Sequence, residues 1–356
     1  MSETTSLCLP IAPSGVAPNS DPSCNDPPAR SQHVLYSTLS PESIEDIVNS
    51  HYSLDGLIDC VLYHRGVNDT YLVTTSSLRY AFRLYRSNWR TREAILAELN
   101  AITHVHSQGA AVTLPLARRD GGLITELQAP EGLRRAVMFN WAEGKPPRYA
   151  DSLQSILFGH ALAELHTAGD QLRADPTRPT INTDYLFRRS VQTAMTQLVH
   201  IPHAARRLTG LAERITKEVQ RAENSLSDWG FCHGDLWVEN AHVTDGHIVM
   251  FDFDFCGFGW RLIDLATYSF DARQRGATEA VRRSFIDGYL QIRPEGKQSV
   301  EFLGLFAILV GLHTIATMVT LSKEMGSRVA SDEFVDRMLA DCESIEIEVR
   351  QGRYDC

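Results

Sequence analysis

The chain lacks most of the features that mark a secreted, membrane-spanning or nucleic-acid-binding protein. Its seven cysteines are odd in number, scattered, and form no C-x-x-C pair. That argues against a disulfide scaffold and for reduced thiols in a cytoplasmic protein. No basic-then-apolar stretch of the secretory type opens the sequence. No basic patch offsets the formal net charge of −10, which sets nucleic acid aside as a partner and suits a cationic small substrate drawn to an acidic cleft. No internal repeat is visible. One segment, Phe302–Leu321, is almost free of charge over a membrane-spanning length. It carries His313 and several threonines, is flanked by Glu301 and Lys323, and stands alone, so it reads as the central helix of a helical lobe rather than a membrane span.

What remains is an ordinary globular composition, 43% hydrophobic and 22% charged over 356 residues, enough for one or two cores. Residues 1–32 differ: rich in Pro, Ser and Asn and poor in aromatics, they read as a disordered tail.

Two segments carry the chemistry. His233-Gly234-Asp235-Leu236-Trp237-Val238-Glu239-Asn240 places an aspartate five positions before an asparagine. Phe251-Asp252-Phe253-Asp254 places a further aspartate twelve positions on, at the end of the apolar run from His247 to Phe251. Phosphoryl transfer from a nucleotide needs one carboxylate to orient and deprotonate the accepting hydroxyl. It also needs a carboxamide and a second carboxylate to hold Mg²⁺ on the phosphates. The same residue types, in this order, serve a protein kinase.

The stretch from Phe231 to Tyr268 resembles the aminoglycoside phosphotransferase and choline kinase superfamily, with its H-G-D-x-x-x-x-N, hydrophobic-D-F-D and D-L-A elements, the last as Asp264-Leu265-Ala266. The resemblance implies an α+β, bilobal, protein-kinase-like fold. A small antiparallel β lobe with one helix (33–142) would cover the nucleotide, and a large, mainly helical lobe (143–356) would carry the catalytic loop and substrate site. It implies ATP and Mg²⁺ as cofactors, Asp235 as catalytic base, and Asn240 and Asp252 as metal ligands. His233 and Asp264 would hold the loop in place. Asp254 is left open between a second metal, a substrate contact and a turn cap.

The upstream sequence fits a nucleotide-covering lobe. Val61–Tyr63 and Tyr71–Thr75 read as strands around a turn containing Gly66 and Asn68, whose backbone N–H groups would face phosphate oxygens. In Arg79–Tyr85 the period-two alternation puts Tyr80, Phe82 and Leu84 on one face and Ala81 and Arg83 on the other. The A-x-R pair resembles the A-x-K of a kinase third strand, with Arg83 as the phosphate cation. A helix over Thr91–Ile102 supplies Glu98, with Glu93 second, as its ion-pair partner. Val112–Pro115 and Asp120–Glu126 read as a strand pair joined by a hairpin turn. Arg135–Trp141 reads as the strand into the hinge, where backbone groups of Phe139, Asn140 and Trp141 would meet the adenine.

The sequence does not name the acceptor. The D-F-D-x-C-G-F-G stretch resembles the homoserine-kinase-like and stress-response-kinase-like branch. The expectation is therefore a phosphotransferase acting on a small-molecule hydroxyl: an amino alcohol, a hydroxylated amino acid or an aminoglycoside-like antibiotic. A protein serine/threonine kinase of the stress-response type is the alternative. Only eleven residues separate Asp252 from Asp264, too few for an anchored activation segment. A non-catalytic nucleotide-binding pseudokinase is disfavoured because Asp235, Asn240 and Asp252 are all present. A monomer or homodimer, with no membrane or nucleic-acid partner, completes the expectation.

Overall fold

The computed structural model describes residues 33–354, so the tail expected over 1–32 lies outside the described residues. Helix α1 (Pro41–His51) starts where Ser40 caps it by accepting from the Ser43 N–H, with proline at the first helical position. It packs on a five-stranded antiparallel sheet of β1 (Leu57–Arg65), β2 (Asp69–Thr75), β3 (Arg79–Leu84), β5 (Gly132–Asn140) and β4 (Thr125–Ala129), in that spatial order. Strand alternation divides two cores. Phe82, Leu84, Ala136 and Met138 join Ile44 and Val48 under α1, whereas Val137 and Phe139 point into the larger core. Helix α2 (Arg92–Ser107) is capped by Thr91 and buries Ile95, Glu98, Leu99 and Ile102.

One expected pairing is wrong. Val112–Pro115 makes only isolated bridges, to Met250 and Phe139, and the hairpin runs instead between β4 and β5 around Pro130 and Glu131. The Asp120-Gly121-Gly122 turn that suggested otherwise exists, closed by the Gly122 N–H on the Asp120 carboxylate at 2.9 Å, but it joins irregular chain.

The remainder is mainly helical: α3 (Ser152–Ala168), α4 (Arg189–Gln197), α5 (Pro202–Ser225), α6 (Leu262–Gln274), α7 (Glu279–Ile292), α8 (Leu303–Met325) and α9 (Asp332–Arg350). Helices α3 and α7 cross so closely that a Cβ at Gly288 would sit 2.3 Å from the Ile156 carbonyl oxygen. Helix α8 is the uncharged segment of the sequence. It is long and apolar enough to cross a membrane, yet 78% of its most apolar stretch is buried inside the protein. Among these helices lie two small sheets. β6 (Thr180–Ile181), β10 (Gly257–Trp260) and β7 (Trp229–Cys232) form one, and β8 (Ala241–Thr244) and β9 (His247–Met250) form the other. Strand β7 delivers the HGD segment and the β8–β9 hairpin delivers the DFD segment to the same place. The result is the expected α+β fold: an antiparallel sheet with helices, followed by a helical region.

Candidate active site

The loop after β7 is held from below by one buried carboxylate. Asp264, at the start of α6, accepts the His233 N–H at 2.7 Å and the Gly234 N–H at 2.8 Å. It also bonds His166 Nε2 at 3.0 Å, and the other ring nitrogen of His166 meets the Tyr289 hydroxyl at 2.9 Å. His166 is therefore a packed structural histidine; burial lowers its pKa, against the attraction of Asp264. Gly234 adopts φ +80°, and a Cβ there would lie 2.3 Å from the Phe255 carbonyl oxygen, so no other residue fits. His233 is fully buried, and its Nε2 bonds the Phe251 carbonyl oxygen at 3.0 Å, latching the loop to the DFD segment.

Asp235 thereby projects into the cleft, half-buried. Trp237 Nε1 donates to its Oδ1 at 2.6 Å and Asn240 Nδ2 to its Oδ2 at 3.2 Å. Burial, followed by the negative charge of Asp252, outweighs these bonds and pushes the Asp235 carboxyl up from its ordinary 3.8 to about 8. Trp237 occupies a variable position of the motif, and nothing in the sequence pattern singled it out.

Asn240 turns its amide nitrogen to Asp235, also donating to that residue's backbone oxygen at 2.8 Å, which leaves its own carbonyl oxygen for the cleft. The Phe251 N–H donates to the Asn240 backbone oxygen at 2.9 Å, so Asn240 and Asp252 are kept side by side. Asp252 has a left-handed φ of 62°, a conformation aspartate tolerates better than most residues. Its side chain is 45% exposed, and one oxygen accepts Arg83 Nη1 at 2.9 Å. Among the described residues no three His, Cys, Asp or Glu side chains cluster to cage a metal alone. A carboxamide oxygen beside a carboxylate instead suits Mg²⁺, which takes few protein ligands and completes its shell with phosphate and water.

Arg83 and Glu98 form a buried ion pair, joined by the Tyr85 hydroxyl; Glu93 is exposed and takes no part. Burial disfavours the Arg83 cation, but the charges of Glu98 and Asp252 outweigh it and hold its pKa above the ordinary arginine value. Asp254, left open by the sequence, is held by three protein donors. It accepts Trp89 Nε1 at 2.6 Å, Arg90 Nε at 2.9 Å and Asn68 Nδ2 at 3.3 Å. These bonds tie the β1–β2 hairpin to the DFD segment. Arg178, unmarked in the sequence, supports the same segment by donating to the backbone oxygens of Asp254 at 2.6 Å and Cys256 at 3.0 Å. Gly66 sits at the hairpin tip, where a Cβ would meet the His64 ring at 2.7 Å. Its N–H already bonds the Asn68 carbonyl oxygen at 3.1 Å.

Two cavities adjoin at this point. The first, about 350 Å³, lies under the sheet between Ala81, Arg83, Phe139, Asn140, Trp141 and His242. The N–H groups of Asn140 and Trp141 are taken by the backbone oxygens of Leu114 and Arg79 at 3.0 and 3.2 Å. The segment therefore offers the cavity ring faces rather than those two amides. The second, about 330 Å³, lies between Asp235, Trp237, Phe255 and α8. Asn240 and Asp252 line both cavities.

The family model described as "Phosphotransferase enzyme family" matches residues 63–303, which hold the lining of the first cavity and that of the second except its α8 wall. An uncharacterized protein of Synechocystis sp. is 33% identical over 262 residues, 73% of either chain. A homoserine kinase of Chelativorans sp. is 26% identical over 285 residues, covering 77% of this chain and 83% of that one. Among solved structures, an amicoumacin kinase in complex with AMP-PNP and Ca²⁺ superposes with a TM-score of 0.67 at 16% identity, covering 87% and 94% of the two chains. With the fold and the family match together, the chain belongs to the phosphotransferase enzyme family, as an ATP-dependent kinase whose acceptor is a hydroxyl group.

Proposed function

We propose that the first cavity takes the nucleotide, that the second takes a small hydroxyl-bearing acceptor, and that the phosphoryl group crosses where they join. The single observation carrying this reading is the shared wall: Asn240 and Asp252 line both cavities, with Arg83 in one and Asp235 in the other. On this reading the lobe over residues 33–142 covers the nucleotide, and the part from residue 143 onward carries the acceptor.

Asp235 orients the acceptor hydroxyl and takes its proton as the new oxygen–phosphorus bond forms and the bond from the γ-phosphorus to the leaving nucleotide oxygen breaks. A carboxyl pushed up to about 8 holds the abstracted proton more tightly than an ordinary aspartate, and it acts from its ionised form. Trp237 and Asn240 fix its direction from two sides, which turns the encounter into a positioned one. Mg²⁺, held by Asn240 and Asp252 when bound, neutralises charge on the phosphates. Arg83 supplies a fixed cation on the nucleotide side, kept in place by Glu98 and Tyr85 rather than by the ligand. Asp264, His166 and His233 hold the loop and touch no reacting atom.

Asp235→Asn and Asp235→Ala test the assignment. Both are expected to retain Mg·ATP binding and to lose turnover by about 10²–10⁴-fold, the usual worth of a positioned base. Near-full turnover in either variant would remove Asp235 from the mechanism.

A further inference from the structure

The wall of the second cavity opposite Asp235 is a strip of α8. Its residues His313, Thr314, Thr317 and Met318 are only partly buried, whereas their helix neighbours Leu312, Ile315 and Ala316 are buried. Positions i, i+1, i+4 and i+5 share one helix face, so this strip is what the helix presents to a ligand.

The protons on that strip can be counted. The Ser190 hydroxyl donates its single proton to the Tyr185 carbonyl oxygen at 3.1 Å. It also lies 3.0 Å from His313 Nδ1, and the arrangement that makes both contacts hydrogen bonds has it accept there. His313 therefore carries its proton on Nδ1, and the Tyr185 ring, 4.7 Å away centre to centre, holds the imidazole in place. Burial lowers the His313 pKa to about 4, so the ring is neutral and its cavity-side Nε2 presents a bare lone pair. Thr314 has donated its hydroxyl proton to the Val310 carbonyl oxygen at 2.8 Å and likewise offers only lone pairs.

Around the rest of the cavity the side-chain donors Trp237 Nε1 and Asn240 Nδ2 are already bonded to Asp235, and one of the two Asn68 Nδ2 protons is bonded to Asp254. His64, Thr70 and Thr317 can act either way. No lysine or arginine lines the cavity, while four carboxylates do.

Resting on the phosphotransferase reading above, we propose that His313 is a specificity-determining residue whose Nε2 accepts a hydrogen bond from an amine or second hydroxyl on the acceptor. The acceptor is then an amino alcohol or polyol without a carboxylate. A carboxylate would meet lone pairs on α8 and negative charge on the catalytic loop, with no cation to receive it. This separates the chain from the homoserine kinases it resembles in sequence.

Matched acceptors differing by one carboxylate decide the matter: aminopropanol against homoserine, ethanolamine against serine, butanediol against hydroxybutanoate. Mg·ATP turnover is measured with each, and Mg·ATP binding is measured separately by calorimetry. The carboxylate-free partner of at least one pair is expected to be favoured by tenfold or more in kcat/KM. With that acceptor, His313→Leu should raise KM about tenfold while kcat changes little, and His313→Gln, whose carbonyl oxygen can accept in the same place, should restore most of it. Preference for the carboxylate-bearing partner, or no turnover of any pair by a protein that still binds Mg·ATP, overturns the inference. Failure to bind Mg·ATP overturns the reading on which it rests.

Discussion

The Arg83–Glu98 pair allows stability and catalysis to be separated in one experiment. Both side chains are buried, Arg83 at 5% exposure and Glu98 at 0%. Removing one charge leaves the other desolvated, which in general costs about 3–5 kcal/mol. Here Arg83 keeps Asp252 at 2.9 Å and the Tyr85 hydroxyl, so Glu98→Gln should lie near the lower end, about 3 kcal/mol. Arg83→Met strands Glu98 with Tyr85 at 3.2 Å and Arg178 at 3.8 Å, and a similar loss of about 3 kcal/mol follows. The double variant Arg83→Met/Glu98→Leu removes both charges together. The Tyr85 hydroxyl is then left wanting and Arg178 loses its carboxylate at 3.8 Å while keeping its backbone oxygens, together about 1–2 kcal/mol, and the half-exposed Asp252 is met by water. Urea unfolding of the nucleotide-free protein should therefore place the double variant closer to wild type than either single variant. Turnover should fall at least a hundredfold in Arg83→Met and in the double variant, because the nucleotide-side cation is gone in both. A double variant destabilised by the sum of the two single losses would refute the reasoning.

Asp264→Asn turns an amide N–H toward one of the three donors that Asp264 now accepts. We expect a loss of about 2–3 kcal/mol in thermal unfolding, and a fall in kcat with little change in KM for Mg·ATP, as Asp235 loses its footing. Unchanged kcat would show that the loop does not depend on Asp264. Gly288→Val drives a side chain into the Ile156 backbone and should destabilise by about 2–4 kcal/mol with kinetic constants intact in the folded fraction; an unaltered melting temperature would contradict the close crossing of α3 and α7. For His313 the pH dependence has a definite sign. Its folded-state pKa is depressed to about 4, so as pH drops below the ordinary 6.5 the unfolded chain takes up a proton that the folded chain refuses. Stability contributed at neutral pH is thus lost between about pH 6.5 and 4. For a half-buried ring this amounts to about 1–2 kcal/mol, and His313→Gln should flatten that part of the curve. Superimposable curves for the two proteins would refute it.

What the sequence made legible was chemistry encoded at short range. The HGD and DFD segments are each set by a few consecutive residues, and the alternation of Arg79–Leu84 assigns faces without knowledge of the partner strand. Between Glu98 and Glu93 the sequence left the partner of Arg83 open; the structure shows Glu98, which is buried beside Ile95 and Leu99. Long-range competition was not legible. Asp120-Gly121-Gly122 is a stronger local turn signal than Pro130-Glu131, yet strand pairing chose the latter. The commitment of Asp254 to Trp89, Arg90 and Asn68 joins residues more than 160 positions apart, and no motif announces it. The Ser190–His313 contact is of the same kind: each residue sits on an unremarkable helix, and only their packing brings them together.

Asp254 also sets how the molecule must breathe. The β1–β2 hairpin, whose tip lines the second cavity, is anchored from beneath through Asn68, and Trp89 and Arg90 are fastened to the same carboxylate. Any excursion of this hairpin away from the DFD segment strips partners from an anion that is only 1% exposed. Opening on that side is thus opposed by the cost of rehydrating one buried charge.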